Sequence, residues 1–236
     1  MSLEIFSSQV RHPLVVGSFG SQSDLLKSSA QAVAEACDIA EIRLDLLDWN
    51  AESPAPWRHL SSLPLLFTAR RLDEGGAMPL DSDARMNLLG AALGDAACID
   101  IEVASIGEME ALLAEVRARK LPWIASFHHF ESLPLREILD EAANRAREAG
   151  ATLFKAAARL HSPSDLAALA DFQLADHGIP VATMGMGPLA PVSRLLCAQS
   201  GSLLNYGYLG DTPTAPGQWD SALLKLAISK LVSIGR

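Results

Sequence analysis

Along the chain, short apolar runs rich in β-branched residues recur. Each is followed by a longer stretch in which apolar positions return at helical spacing among Ala, Leu, Glu and Arg. The strand candidates are "LVVGS" (14–18), "IAEIRL" (39–44), "LLFTAR" (65–70), "CIDIE" (98–102), "WIASFH" (123–128), "LFKAA" (153–157), "PVATM" (180–184) and "LLNYG" (203–207). Between them, "SDLLKSSAQAVAEAC", "SDARMNLLGAAL", "IGEMEALLAEVRAR", "PLREILDEAANRAREAG" and "SPSDLAALADFQLADHG" read as helices, several opening on Ser, Asp or Pro and closing at Gly. Eight βα units without a Gly/Ser linker predict an α/β fold: one (β/α)8 TIM barrel over residues 1–236, with 1–12 as a short N-terminal cap. A doubly wound open sheet is the main rival, but no GxGxxG follows the first strand, where a dinucleotide-binding fold carries it.

Side chains two apart on a strand share a face. In the second strand Glu41, Arg43 and Asp45 fall on one face and Ala40, Ile42 and Leu44 on the other, so the charged set is expected to face the barrel axis. The same parity turns Thr68, Arg70, Asp100, Glu102, Ser126, His128 and Lys155 inward. Taken singly, each has a bland account. Glu41, Arg43 and Asp45 make a structural ion-pair ladder, Arg70 and Arg71 a surface pair, Asp100 and Glu102 partners that neutralise the arginines, and His128 a satisfied core histidine. Lys155 snorkels from a strand end to water. Shared parity and matching strand ends favour a common site, because so polar a barrel interior is costly unless its charges are paired.

Composition narrows the class. With 49% hydrophobic and 20% charged residues the chain is globular rather than disordered. A net charge of −9 with no basic cluster argues against nucleic acid. No apolar run approaches the roughly 18 residues of a membrane span, and no export signal is visible. Cys37, Cys98 and Cys197 are an odd, widely spaced set without a CxxC pair, which predicts neither a disulfide framework nor a zinc site and fits a reducing cytoplasm.

A lysine that is desolvated beside arginines has its charged form disfavoured twice, so Lys155 is expected to be a neutral nucleophile suited to Schiff-base chemistry on a ketone or aldehyde. His128, of a type that titrates at about 6.5 unperturbed, is the matching base. His129 competes, but its parity points outward. Glu74, in "RRLDEGGAMPL", is placed to orient the histidine if the glycines let that loop fold over the barrel mouth. Arg194, early in the helix of "MGMGPLAPVSRLLCAQ", opposes the helix dipole unless an anion binds nearby, which hints at a carboxylate. "LGDTPTAPGQWD", which contains Thr214 and Gln218, reads as a lid or as an ordinary βα loop.

These residues resemble the type I 3-dehydroquinate dehydratases, Schiff-base-forming barrels of the shikimate pathway. The motifs run in order over most of the chain: "EIRLD", "FTAR" with "EGG", "IDIE", "SFHHF", the lysine of "FKAAA", the "SR" of "PVSR", and "APGQ". The resemblance implies that Lys155 forms the Schiff base and that His128 is the general base and acid, with Glu74 its partner. Glu41, Arg43 and Arg70 would hold ring hydroxyls, and Arg194 would clamp the carboxylate with Ser18, Thr214 and Gln218 around it. It also implies a syn dehydration of 3-dehydroquinate without metal or cofactor, a small molecule as the only ligand, and a homodimer. Departures from the family pattern are His129 for Asp, Thr214 for Ser, Ala190 for Gly, and a short N-terminal segment. The alternatives are another class I aldolase and a non-catalytic binder of a cyclic acid. The aldolase is disfavoured because the region after strands seven and eight lacks a glycine-rich phosphate cradle, and the binder because both Lys155 and His128 are kept.

Overall fold

Eight strands buried on both faces dominate the computed structural model, which describes residues 12–231: β1 (Leu14–Phe19), β2 (Ile39–Arg43), β3 (Leu65–Thr68), β4 (Cys98–Glu102), β5 (Trp123–His129), β6 (Leu153–Arg159), β7 (Val181–Met186) and β8 (Leu204–Leu209). All ladders are parallel, in the order β7-β6-β5-β4-β3-β2-β1-β8. The two ends of that order meet, so the sheet curls into a nearly closed barrel. At the seam Leu203 N–H donates to the Val181 carbonyl at 3.3 Å, and the Ser202 hydroxyl accepts from Thr183 N–H at 3.2 Å. A serine there stands in for part of a ladder. The expected barrel is the observed fold, and each predicted strand overlaps an observed one. The expected N-terminal cap, residues 1–12, lies outside the described residues except for residue 12.

Seven of the eight strands are followed by α-helix: α1 (Gln22–Lys27) and α2 (Ala30–Ala36) after β1, then α3 (Ser82–Ala92), α4 (Glu110–Ala118), α5 (Arg136–Glu148), α6 (Pro163–Leu174), α7 (Ala190–Gln199) and α8 (Ser221–Ile228). Two details correct the expected rhythm. "SDLLKSSAQAVAEAC" is two helices, because Ser28 Oγ donates to the Asp24 carbonyl and closes the first while Ser29 Oγ accepts from Ala32 N–H and opens the second. The β2–β3 unit has no α-helix. Pro54 and Pro56 interrupt it, and a 3₁₀ turn at Arg58–Leu60 takes its place. Trp57 covers the sheet there instead, its ring packed edge-on to Phe67 of β3 at 4.9 Å and its indole N–H donating to Asp95 at 2.9 Å.

Parity holds around the barrel. Val15, Ile42, Phe67, Ile101, Trp123 and Phe154 point outward beneath the helices, while Leu14, Val16, Ile39, Leu66, Ile124, Leu153 and Leu204 fill the floor of the interior. The C-terminal half of the interior is polar. The strand stagger puts Ser18 beside Glu41, Arg43 beside Thr68 and Thr68 beside Asp100, then Glu102 beside Ser126 and Ser126 beside Lys155. A spiral of polar side chains thus climbs one wall above an apolar plug, as in barrels whose chemistry sits at the C-terminal face.

Candidate active site

Lys155 leaves the middle of β6 with a side chain only 6% exposed, so it does not snorkel. Its Nζ lies 3.2 Å from Asp100 Oδ2 and 4.1 Å from the centroid of the Tyr206 ring. Burial pulls the amine below the usual lysine range. Asp100 opposes that and Arg70 adds to it.

Asp100 and Glu102 do neutralise arginine, as expected, and Asp100 also holds the lysine. Arg70 Nη2 lies 2.9 Å from Asp100 Oδ1, and Arg70 Nη1 donates to Glu102 at 3.0 Å and to Ser126 Oγ at 2.6 Å. The Arg70–Arg71 pair is therefore split: Arg70 is buried within the barrel, whereas Arg71 turns outward to Asp73. Glu41 accepts from Thr68 Oγ1 at 2.8 Å and from Ser18 Oγ. Ser18 thus stands beside Glu41 in this structure.

His128, at the end of β5, is positioned by a single carboxylate oxygen. Glu74 Oε2 accepts both its backbone N–H and its ring Nδ1–H, each at 2.9 Å. A carboxylate only accepts, so Nδ1 carries the proton and Nε2 keeps its lone pair. Burial, then the nearby Arg70, Lys155 and Arg43 charges, holds the imidazole well below its ordinary range, hence neutral. Burial likewise pushes the Glu74 carboxyl up to about 7, against the pull of Arg70. His129 points elsewhere, its Nδ1 lying 2.8 Å from the Ser132 carbonyl oxygen.

The Glu74 loop reaches the histidine because two glycines let it. Gly75 has φ +90, and a Cβ there would lie 2.6 Å from the Phe130 ring; at Gly76 a Cβ would lie 2.4 Å from the Arg70 carbonyl oxygen. Asp45, in the 3₁₀ turn that follows β2, clips this loop down. It accepts from Arg43 Nε at 2.9 Å, Arg70 N–H at 3.1 Å and Ala77 N–H at 3.2 Å, while Arg43 Nη2 donates to the Gly75 carbonyl at 3.1 Å.

Arg194 stands apart from this network. It is 1% exposed, yet among the described residues no carboxylate pairs with it. Nη1 donates only to the Gly185 carbonyl at 3.2 Å, and Nε has no partner. Burial lowers its pKa to about 10. A buried guanidinium without a counter-ion is costly, and an anion entering the pocket would relieve that cost. Above it the β8–α8 loop is folded down. Gly187 N–H donates to the Pro216 carbonyl at 3.1 Å, Gly217 abuts Ala190, and Gln218 Oε1 accepts from Thr214 N–H and Oγ1, both at 2.8 Å. The glutamine amide nitrogen is left as a donor.

Ser18, Glu41, Arg43, Arg70 and Glu74 line one pocket together with His128, Lys155, Arg194, Thr214 and Gln218. The sequence reading missed Tyr206, Met184, Met186 and Phe130 as further walls. Parity on β7 and β8 would have found the methionine at 184 and the tyrosine. Among the described residues, no group of three or more His, Cys, Asp and Glu side chains is arranged to hold a metal.

Residues 16–231 match the family model described as "Type I 3-dehydroquinase". A 3-dehydroquinate dehydratase of Methanothrix thermoacetophila is 33% identical over 96% of this chain and 95% of its own length. One from Klebsiella pneumoniae is 30% identical, covering 87% of each chain. The crystal structure of 3-dehydroquinate dehydratase from Geobacillus kaustophilus superposes with a TM-score of 0.84 at 25% identity, over 95% of this chain and 93% of that one.

Proposed function

The chain belongs to the type I 3-dehydroquinase family, a 3-dehydroquinate dehydratase and thus a hydro-lyase of the shikimate pathway, and from that premise we propose that it works through a Schiff base on Lys155. The observation that carries this reading is a buried amine, held below its ordinary range, in the same pocket as a neutral, carboxylate-oriented histidine.

In this reading the Lys155 amine attacks the C3 ketone, and loss of water gives an iminium. Asp100 and the Tyr206 ring face that cation. His128 Nε2 then takes a proton from C2, whose electrons flow into the iminium to give an enamine. The enamine expels the C1 hydroxyl, which departs as water with the proton that His128 carries, completing the syn elimination. Hydrolysis of the iminium releases 3-dehydroshikimate and restores the amine. Glu41 and Arg43 hold ring hydroxyls, and Arg70, largely engaged with Asp100, Glu102 and Ser126, mainly shapes the field at the lysine. Arg194 takes the substrate carboxylate, helped by the Gln218 amide, with Ser18 and Thr214 adding hydroxyls nearby. Every step is acid–base or carbonyl chemistry on the chain's own side chains.

The test is reduction with borohydride in the presence of 3-dehydroquinate, followed by peptide mass analysis. The adduct is expected on Lys155; its absence there, or its presence on another lysine, overturns the mechanism.

Arg194 offers a second test, because its unpaired charge opposes folding but serves binding. Arg194→Met is expected to raise KM about 10- to 100-fold, the worth of a charged hydrogen bond. It is also expected to raise Tm by a few degrees, as relief of about 1 kcal/mol does in a chain of this size. Kinetics and a thermal melt on one preparation check both, and a variant with unchanged KM removes Arg194 from the carboxylate subsite.

The family match over residues 16–231 supports treating the whole chain as one barrel domain. Homodimer assembly and a cytoplasmic setting complete the proposal. The first is supported by the family resemblance, the second by three unpaired, buried cysteines. Among the described residues no helix is long and apolar enough to cross a membrane.

A further inference from the structure

Arg85 lies on α3, a helix outside the barrel, and does not line the substrate pocket. Yet it is 2% exposed and ends among the strand-end polar groups. Its Nε donates to the Ala69 carbonyl at 2.8 Å, its Nη1 to Ser105 Oγ at 3.0 Å, and its Nη2 to Glu102 Oε2. The other Glu102 oxygen accepts from Arg70 Nη1 and from Arg71 N–H, both at 3.0 Å. Arg70 in turn holds Asp100 Oδ1, and Asp100 Oδ2 holds Lys155. The side chains along this path are at most 6% exposed. Water therefore screens little of what passes between them.

We propose that Arg85 is a positioning residue, which sets how firmly Asp100 holds the Lys155 amine through the relay Arg85–Glu102–Arg70–Asp100–Lys155. With Arg85 present, Glu102 divides its charge between two guanidiniums, and Arg70 stays free to share itself with Asp100. Without Arg85, Glu102 draws Arg70 toward itself, Asp100 turns more fully to the lysine, and the net negative field at Nζ rises. Geometry and Coulomb attraction act in the same direction, toward an ammonium that cannot attack a ketone. A residue that merely clips α3 to the barrel would alter stability and leave the amine untouched.

The groups facing Lys155 are Glu41 and Arg43 of β2, Arg70 on the loop after β3, Asp100 of β4, His128 of β5 and Tyr206 of β8. Glu74 and Arg194 line the same pocket beyond them. Arg85 reaches the lysine only through Glu102, Arg70 and Asp100.

This inference rests on Lys155 forming the Schiff base, so the experiment separates the two claims. The rate of Lys155 adduct formation with 3-dehydroquinate and cyanoborohydride is followed by peptide mass analysis from neutral to alkaline pH in the parent, Arg85→Met and Glu102→Gln. In Arg85→Met the midpoint of the profile is expected to move to higher pH and the neutral-pH rate to fall about three- to tenfold, a tenfold change corresponding to about one pH unit. In Glu102→Gln, where the negative member is removed, the midpoint is expected to move to lower pH. The opposite signs keep the test alive if one variant fails to fold by thermal melt. A midpoint unchanged in a folded Arg85→Met, or moved to higher pH in Glu102→Gln, overturns the relay. Absence of the Lys155 adduct in the parent overturns the Schiff-base reading instead.

Discussion

Lys155→Met is expected to turn over 3-dehydroquinate at less than about 10⁻⁴ of the parent rate, as loss of a covalent nucleophile commonly does. Methionine nearly matches the lysine stem in length and leaves no large cavity, so the loss would report chemistry rather than collapse. Asp100 keeps Arg70 and Ser126 as partners, so no carboxylate is orphaned. Because burial disfavours the charged lysine, the fold is expected to be no less stable without it. Glu41, Arg43, Arg194 and Gln218 remain in place, so calorimetric binding of substrate should weaken by no more than about tenfold, the loss of roughly one hydrogen bond. Turnover above about 1% of the parent would show that the amine is not the nucleophile, since no other lysine among the described residues lines the pocket.

The second large effect concerns the histidine and its carboxylate. His128→Ala is expected to lower kcat by about 10²- to 10⁴-fold, the usual worth of a positioned acid–base group. Lys155 still reaches the ketone in that variant, so borohydride should trap as much adduct as in the parent, or more. Low turnover with a full adduct places His128 after iminium formation; loss of both would place it before.

Glu74 supplies the pH dependence. Its carboxyl is pushed up to about 7 by burial, and only the carboxylate holds the Nδ1–H tautomer that leaves Nε2 basic. The expected kcat/KM therefore falls as pH drops through about 7. In Glu74→Gln that limb should vanish from a lower, flatter profile. The stability sign is the reverse. The folded-state value lies above the ordinary 4.5, so this group's contribution to stability is full below 4.5 and is lost as pH rises toward about 7. Activity lost just below neutrality is thus not unfolding, which a melt at each pH would verify. An unchanged acidic limb in Glu74→Gln would assign it to another group.

Much of this architecture was legible before any coordinates. Apolar runs at strand length named all eight strands, because a strand buried on both faces must be apolar nearly throughout. Wherever charge interrupted such a run, its parity named the inward face. The missing helix between β2 and β3 was less legible, although Pro54 and Pro56 were a warning. The break at Ser28–Ser29 was hidden inside a plausible helical period, since serine can be read either as an interior residue or as a cap.

Arg85 escaped notice for a different reason. On a helix of weak amphipathicity, one long cationic side chain cannot be assigned inward or outward by spacing alone. Arg70 and Arg71, adjacent and chemically identical, were separable by strand parity, and the fold buries Arg70 while Arg71 turns outward, half-buried, to Asp73. The double duty of Asp100 was equally invisible. Its two oxygens serve Arg70 and Lys155, separated from it by 30 residues in one direction and 55 in the other along the chain.

By itself, then, the chain of residues determined which side chains point at the barrel axis, because alternation along a strand is local and periodic. It also pointed to carbonyl chemistry, because a lysine and a histidine at inward positions of neighbouring strands suit it, while the dehydration itself was implied by the family resemblance. Tertiary structure alone decided which charges meet. The stagger of the strands around the barrel and the reach of α3 into its wall bring Glu102 between two arginines and Asp100 between an arginine and the lysine. Those pairings depend on the close approach of residues far apart in the chain, and in a buried, weakly screened interior such approaches govern whether an amine is held as a cation or freed to react.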